Sequence, residues 1–258
     1  MSKTPSLQSP RPKPKNATSQ SKVSKTVADD AGAEAAANLR RFAGNDRFAT
    51  ILADPPWQFQ NRTGKVAPEH RRLNRYSTLT LEDIMQLPVA EVSADTSHLY
   101  LWVPNALLPE GLKVMEAWGF QYKSNIVWHK IRKDGGPDGR GVGFYFRNVT
   151  EIVLFGVRGK NARTLAPGRR QVNFLATQKR EHSRKPDELY PIVEACSPGP
   201  RLELFARGVR PGWRLWGNQA DESYEPTWKT YANHSQSDKP DPDETSKTES
   251  PRRRSKVA

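Results

Sequence analysis

FATILADPPW, residues 48–57, joins an unbroken apolar run to a stop that no strand can pass. The six residues FATILA have the continuous apolar character of a strand buried on both faces. Pro55 and Pro56 then supply no N–H to a ladder and fix two φ angles, so the strand must finish before them. Strand-like stretches recur at HLYLWV (98–103), YKSNIVWHK (122–130), TEIVLFGVR (150–158), RLELFA (201–206) and WRLWG (213–217). Helical patterns lie between them. Thr80-Leu-Glu-Asp83 has the spacing of a capping box and opens a short helix through Leu87. LLPEGLKVMEAWG (107–119) predicts a helix closed by Gly119. PDELYPIVEAC (186–196) predicts another, with Pro186 at its first position and SPGP as its stop. Strands alternating with helices predict one α/β domain, its sheet mostly parallel and covered by helices on both faces.

The 258 residues exceed what that pattern needs, and only 35% are hydrophobic. Residues 1–35 read as a disordered basic tail, 36–219 as the folded domain and 220–258 as a second disordered, charged tail. Residues 29–43, DDAGAEAAANLRRFA, read as a helix at the entry to the domain, with acids early and arginines late. The net charge is +13, and the stretch 39–219 alone carries 28 Lys/Arg against 17 Asp/Glu. A folded domain that displays this excess suits a polyanion such as DNA or RNA. Cys196 is the only cysteine, which excludes an internal disulfide and a cysteine-based zinc site. The five histidines show no metal spacing, so no metal is assigned. No apolar run approaches a membrane span, and the N-terminus lacks a secretory apolar stretch. The expectation is a protein of a reducing compartment: cytoplasmic in a bacterial or phage host, nuclear in a eukaryote.

Asp54-Pro55-Pro56-Trp57 is the sharpest chemical feature. Ligands of open α/β sheets bind outside the carboxyl ends of strands, and this tetrapeptide follows one directly. The prolines leave a stiff row of carbonyl acceptors beside a carboxylate. An exocyclic amino group has two N–H donors and a lone pair delocalised into its ring. Asp54 and its backbone carbonyl can accept both N–H groups and free that lone pair to attack a methyl sulfonium. Trp57 offers a face on which a flipped-out base could stack.

Eight stretches taken in order carry a resemblance: ADPPW (53–57), YSTLTLEDI (76–84), LYLWVPN (99–105), WGF (118–120), RNVTEIVLFGVRG (147–159), HSRKPDELY (182–190), ELFAR (203–207) and GNQ (217–219). Over residues 48–219 the chain resembles the MT-A-seventy family of adenine-N6 methyltransferases, in particular its bacterial and phage members. The resemblance implies a permuted Rossmann-like methyltransferase fold, with the catalytic motif first and the cofactor-binding segments last. It implies S-adenosyl-L-methionine as cofactor and Asp54, Pro55, Pro56 and Trp57 as the catalytic motif. Lys185 is implied to hold the cofactor's methionine carboxylate, with Asp54 near its ammonium. Glu203, Arg207, Asn218 and Gln219 are implied to meet its ribose and adenosine end. Arg147, Asn148 and Glu151 match a motif that faces the target pocket, and Tyr76 and Ser77 match the segment that closes over it. The eukaryotic catalytic subunit has a His-Asn pair after the arginine that matches Arg207; Gly208 and Val209 stand here instead.

Positive charge gathers in 62–75, 132–140 and 158–170, with Arg71, Arg72 and Arg75 placed to hold phosphates beside the site. DNA is the favoured substrate because the chain carries no RNA module. RNA adenine-N6 methylation and a non-catalytic nucleic-acid-binding subunit are the alternatives. A protein partner or a homodimer is compatible with each.

Overall fold

The computed structural model describes residues 18–57, 79–132, 134–138, 145–178, 184–222 and 224. Its elements in chain order are α1 (Thr18–Ala43), β1 (Phe48–Ala53), α2 (Leu81–Gln86), α3 (Val89–Val92), β2 (Ser93–Val103), α4 (Leu108–Ala117), β3 (Gln121–Ile131), β4 (Thr150–Arg158), β5 (Phe174–Gln178), α5 (Leu189–Cys196), β6 (Arg201–Leu204) and β7 (Trp213–Trp216). The seven strands form one sheet in the order β5-β3-β4-β2-β1-β6-β7. β4 runs antiparallel to its neighbours β2 and β3. Every other pairing is parallel. This is a Rossmann-like sheet with permuted chain order: β1, which leads into Asp54, comes first, while its neighbour β6 and the edge strand β7 beyond it come last.

β1 is buried at all six positions, as its unbroken apolar run requires. Its side chains divide by the period of two. Ile51 and Ala53, with Leu99, Leu101 and Val103 of β2, pack under α1, α2, α3 and α4. Leu52, with Tyr100 and Trp102, packs on the other face with Val153 of β4, Trp128 of β3 and Leu189, Tyr190 and Val193 of α5. Leu52 pairs in register with Glu203, so Glu203 looks out on the α5 face. Asp54, two residues beyond Leu52, follows the same alternation.

The capping box at Thr80 is formed: the Asp83 N–H donates to the Thr80 hydroxyl, and the Asp83 carboxylate accepts from the Thr80 N–H. Gly119 ends α4 with φ 78°, the left-handed turn a glycine takes freely. β2 begins at Ser93 rather than His98, α3 had no sequence signal, and three further elements differ from expectation. α1 begins at Thr18, well before Asp29, because no proline or glycine interrupts residues 18–31. α5 begins at Leu189 rather than Pro186; the Leu189 and Tyr190 N–H groups donate to the carbonyls of Pro186 and Asp187, a tight turn ahead of the helix. β5, with its short polar-ended sequence FLATQ, had no sequence signal and owes its form to parallel pairing with β3. No described helix is long and apolar enough to cross a membrane. Residues 1–17 and 225–258, about half of the first expected tail and most of the second, lie outside the described residues, and residues 18–35 of the first belong to α1.

Candidate active site

The site is built at the carboxyl ends of β1 and β6. The Asp54 N–H donates to the Leu204 carbonyl at 3.4 Å, which extends the β1–β6 ladder one residue past the strand. The chain then turns at once: the Trp57 N–H donates to the Pro55 carbonyl at 2.8 Å. The Trp57 indole N–H donates to the Trp102 carbonyl of β2, also at 2.8 Å. Trp57 is only 8% exposed and belongs to the core under α1–α4. It anchors the corner and has little free face on which a base could stack.

With the corner fixed, the Asp54 carboxylate meets Lys185 Nζ at 3.3 Å. Lys185 comes from the turn before α5 and also donates to Glu151 of β4 at 2.8 Å. The other oxygen of Glu151 accepts from Lys130 of β3 at 2.5 Å. Burial pushes the Asp54 carboxyl up; Lys185 and Arg207 pull against that push, and Glu151 adds to it. Burial also opposes the charge on Glu151, but Lys185 and Lys130 outweigh it and hold that carboxyl down at about 2. Lys185 is balanced the same way. Burial disfavours its ammonium, yet Asp54 and Glu151 together raise its proton affinity. All three groups sit in a partly buried site, where Coulombic coupling is stronger than in water.

A cleft opens beside this cluster. Leu52, Asp54, Trp102, Lys185, Glu203, Phe205 and Arg207 line it, joined by Arg184, Tyr190 and Tyr224. Glu203 accepts a hydrogen bond from the Tyr190 hydroxyl at 2.8 Å. Burial pushes its carboxyl up to about 7, against the opposing effects of Tyr190 and Arg210. Arg210 lies over the Tyr190 ring at 3.2 Å and pairs with Asp187, which also holds Arg184. Phe205 sits at φ 62°, a backbone region that costs a non-glycine residue about 1 kcal/mol or more and that collects at functional sites. Next to it, the ends of β6 and β7 touch. A Cβ on Gly217 would lie 2.7 Å from both the nitrogen and the oxygen of Ala206, so only glycine fits there. Arg207 bridges to Gln219 across this corner, and the Gly208 N–H donates to the Gln219 carbonyl at 2.7 Å.

The residues singled out in the sequence divide accordingly. Asp54, Lys185 and Glu151 meet in one ion-pair cluster, and Asp54, Lys185, Glu203 and Arg207 share one cleft. Gln219 is tied to Arg207 by backbone pairing, with Asn218 exposed beside it. Pro55 is buried and Pro56 half-buried at the corner. Arg147 and Asn148 are exposed just before β4, where Asn148 accepts from Asn105 at 3.5 Å. Tyr76, Ser77, Arg71, Arg72 and Arg75 lie outside the described residues. Sequence reading missed Lys130, Tyr190 and Tyr224. Lys130 carried a signal, since it shares a strand face with Ile126 and Trp128, both buried, where a lysine needs a partner. Tyr224 carried none, coming after the last recognised stretch in what read as tail.

Residues 48–219 match the family model described as MT-A70. The chain is 32% identical over 179 residues to the N(6)-adenosine-methyltransferase catalytic subunit METTL3 of Homo sapiens, covering 68% of this chain and 28% of that protein. It is 32% identical over 177 residues to a probable N(6)-adenosine-methyltransferase MT-A70-like protein of Oryza sativa subsp. japonica, 67% of this chain and 23% of that one. It is 29% identical over 187 residues to the type II methyltransferase M.MunI of Mycoplasma sp, 66% of this chain and 77% of that enzyme. The chain thus spans less than a third of the length of these eukaryotic relatives and about three quarters of the bacterial one.

Proposed function

Because this chain belongs to the MT-A70 family, we propose that it transfers a methyl group from S-adenosylmethionine to the N6 amino group of adenine in DNA, with the target base turned out of its helix to meet Asp54. The observation that carries this reading is the position of Asp54: on a rigid corner at the end of β1, shared between the Lys185–Glu151 cluster and a cleft of mixed polarity.

The donor set fits the cofactor. Its methionine end is a zwitterion, and the cleft offers an ammonium on Lys185 and a carboxylate on Asp54. Lys185 spends two of its three N–H donors on Asp54 and Glu151, which leaves one for a carboxylate. Its ribose presents hydroxyls, for which Glu203 and Arg207 supply an acceptor and a donor, with Asn218 and Gln219 at the neighbouring corner. Leu52, Phe205, Tyr190 and Tyr224 supply apolar wall. When bound, the cofactor provides a methyl group on a sulfonium, a good leaving group that needs no metal.

The chain's own residues then act on the amino group. The Asp54 carboxylate and the carbonyl that precedes Pro55 accept its two N–H bonds and turn its lone pair outward. Transfer forms the N–CH3 bond and breaks the S–CH3 bond, and one N6 proton must leave. Asp54, whose proton affinity burial has raised, is placed to take it. The double proline and the Trp57–Trp102 hydrogen bond hold the acceptors still, which is how a site keeps reacting atoms aligned.

DNA is preferred to RNA because the similarity extends over 77% of the type II methyltransferase M.MunI and over 28% of the human N(6)-adenosine-methyltransferase subunit. The test is methyl transfer from labelled cofactor to matched adenine-containing DNA and RNA, with products digested to nucleosides and Asp54→Ala in parallel. N6-methyldeoxyadenosine from the wild type and none from the variant is the expected result. Label in RNA alone would move the assignment to RNA. Failure to bind the cofactor would sink the enzyme reading.

A further inference from the structure

Two lysines and two indoles flank Glu151 in a repeating arrangement. Lys185 Nζ lies 5.0 Å from the centre of the Trp102 ring, and Lys130 Nζ lies 4.9 Å from that of Trp128. The two indoles meet edge to face at 5.8 Å. Between the ammoniums sits the Glu151 carboxylate, one oxygen on each, at 2.8 and 2.5 Å. Asp54 takes the outer side of Lys185. Signs therefore alternate across the sheet from Asp54 through Lys185 and Glu151 to Lys130, and the four charges cancel. Arg207 is the other cation that faces Asp54. Lys185 and Lys130 are the cations that face Glu151.

Consider the same cluster without Lys130. Glu151 would keep one partner, Lys185, and both of its oxygens would compete for that ammonium. Lys185 would be drawn toward Glu151 and away from Asp54. Two carboxylates would then share one ammonium in a partly buried site, and one of them would take up a proton more readily. Asp54 has the weaker claim, since its contact with Lys185 is the longer one, 3.3 Å against 2.8 Å.

We propose that Lys130 is a positioning residue for methyl transfer: it holds Glu151 from the far side and cancels its charge, so that Lys185 stays shared with Asp54 and Asp54 stays ionised and aimed. This rests on the reading of Asp54 as the acceptor of the target amino group. Lys130 acts through Glu151 and Lys185 and is not among the residues that line the cleft.

The test compares Lys130→Met, Lys130→Arg and the double variant Lys130→Met/Glu151→Gln in the full chain. Methionine keeps the stem over Trp128 and deletes the charge. Lys130→Met should lower kcat at neutral pH by about tenfold to a hundredfold, the usual effect of a loosened reacting group. The acid limb of its kcat profile should move up by about one pH unit. Cofactor Kd by calorimetry should change far less than kcat. Lys130→Arg should restore most of the rate. The double variant leaves Asp54 and Lys185 as a balanced pair, so its acid limb should return to the wild-type position. A readout independent of turnover is the melting temperature across pH. A carboxyl whose folded-state proton affinity is raised adds stability as pH falls. The melting gap between wild type and Lys130→Met should therefore narrow on acidification. An acid limb unmoved in Lys130→Met, or a loss of cofactor affinity equal to the loss in kcat, would overturn the proposal. A wild type that methylates no adenine would overturn the preceding reading instead, and the melting series would then decide alone: a narrowing gap upholds charge balancing by Lys130, a constant gap removes it.

Discussion

Trp57→Phe separates two roles that the tetrapeptide alone allows. The substitution keeps an aromatic face and removes the indole N–H. In the structure that N–H donates to the Trp102 carbonyl at 2.8 Å, and the ring lies in the core at 8% exposure. A buried hydrogen bond of this kind contributes about 1 kcal/mol net. The smaller ring leaves a void in the core under α1–α4, and large-to-small core changes of this modest size add about 1–2 kcal/mol. The sum is about 2–3 kcal/mol, which in a domain of this size lowers Tm by roughly 4–12 °C. Catalysis should suffer as well, because the carbonyl before Pro55 loses its tether: kcat falls while KM for the nucleic acid moves little. Thermal melting by circular dichroism and steady-state kinetics read the two effects on the same preparation. A variant that melts with the wild type and shows only a raised KM would refute the reasoning, because it would mean that the ring faces the substrate.

Two further outcomes follow from buried titrating groups. Glu203, held up at about 7 chiefly by burial, must be ionised to accept from ribose hydroxyls with both oxygens. Cofactor affinity should therefore fall as pH drops through about 7, and Glu203→Gln should flatten that dependence; an equal slope in the variant would free Glu203 of the role. His98 is 2% exposed, and its Nε2 sits 3.2 Å from the Ala162 carbonyl, which can only accept. Nε2 therefore carries the proton, and Nδ1 accepts from the Ser197 hydroxyl at 2.7 Å, so the ring is neutral. Burial lowers its pKa below the ordinary 6.5. The sign is that of a depressed folded-state pKa: the stability is fully present above 6.5 and is lost as pH falls from there toward the folded value. Urea denaturation across that interval should show the loss, and His98→Gln should remove the His98 share of it; an unchanged slope in the variant would assign the loss to other groups.

What the sequence disclosed, and what it withheld, divides by the range of the forces involved. β4 (Thr150–Arg158) and the Thr80 capping box were read to the residue, because both depend on neighbours within a few positions. The end of β1 was equally plain, because two prolines forbid continuation whatever surrounds them. β5 was not, since FLATQ takes its form from pairing with β3, a strand more than forty positions earlier in the chain. Trp57 shows the limit most clearly. Its identity suggested a stacking face, but where its indole points is decided by the Trp102 carbonyl, forty-five positions away in the chain. The charge cluster extends the same logic. Asp54, Lys130, Glu151 and Lys185 come from β1, β3, β4 and the turn before α5, and the strand order β3-β4-β2-β1 puts two strands between Lys130 and β1. Family motifs could mark Asp54, Glu151 and Lys185 one by one. Only the sheet order shows that Glu151 has an oxygen left after Lys185, and that the alternation of charge needs Lys130 to close it. An inward-facing lysine on a buried strand is thus the local trace of a distant carboxylate, and its partner becomes legible once strand order is known.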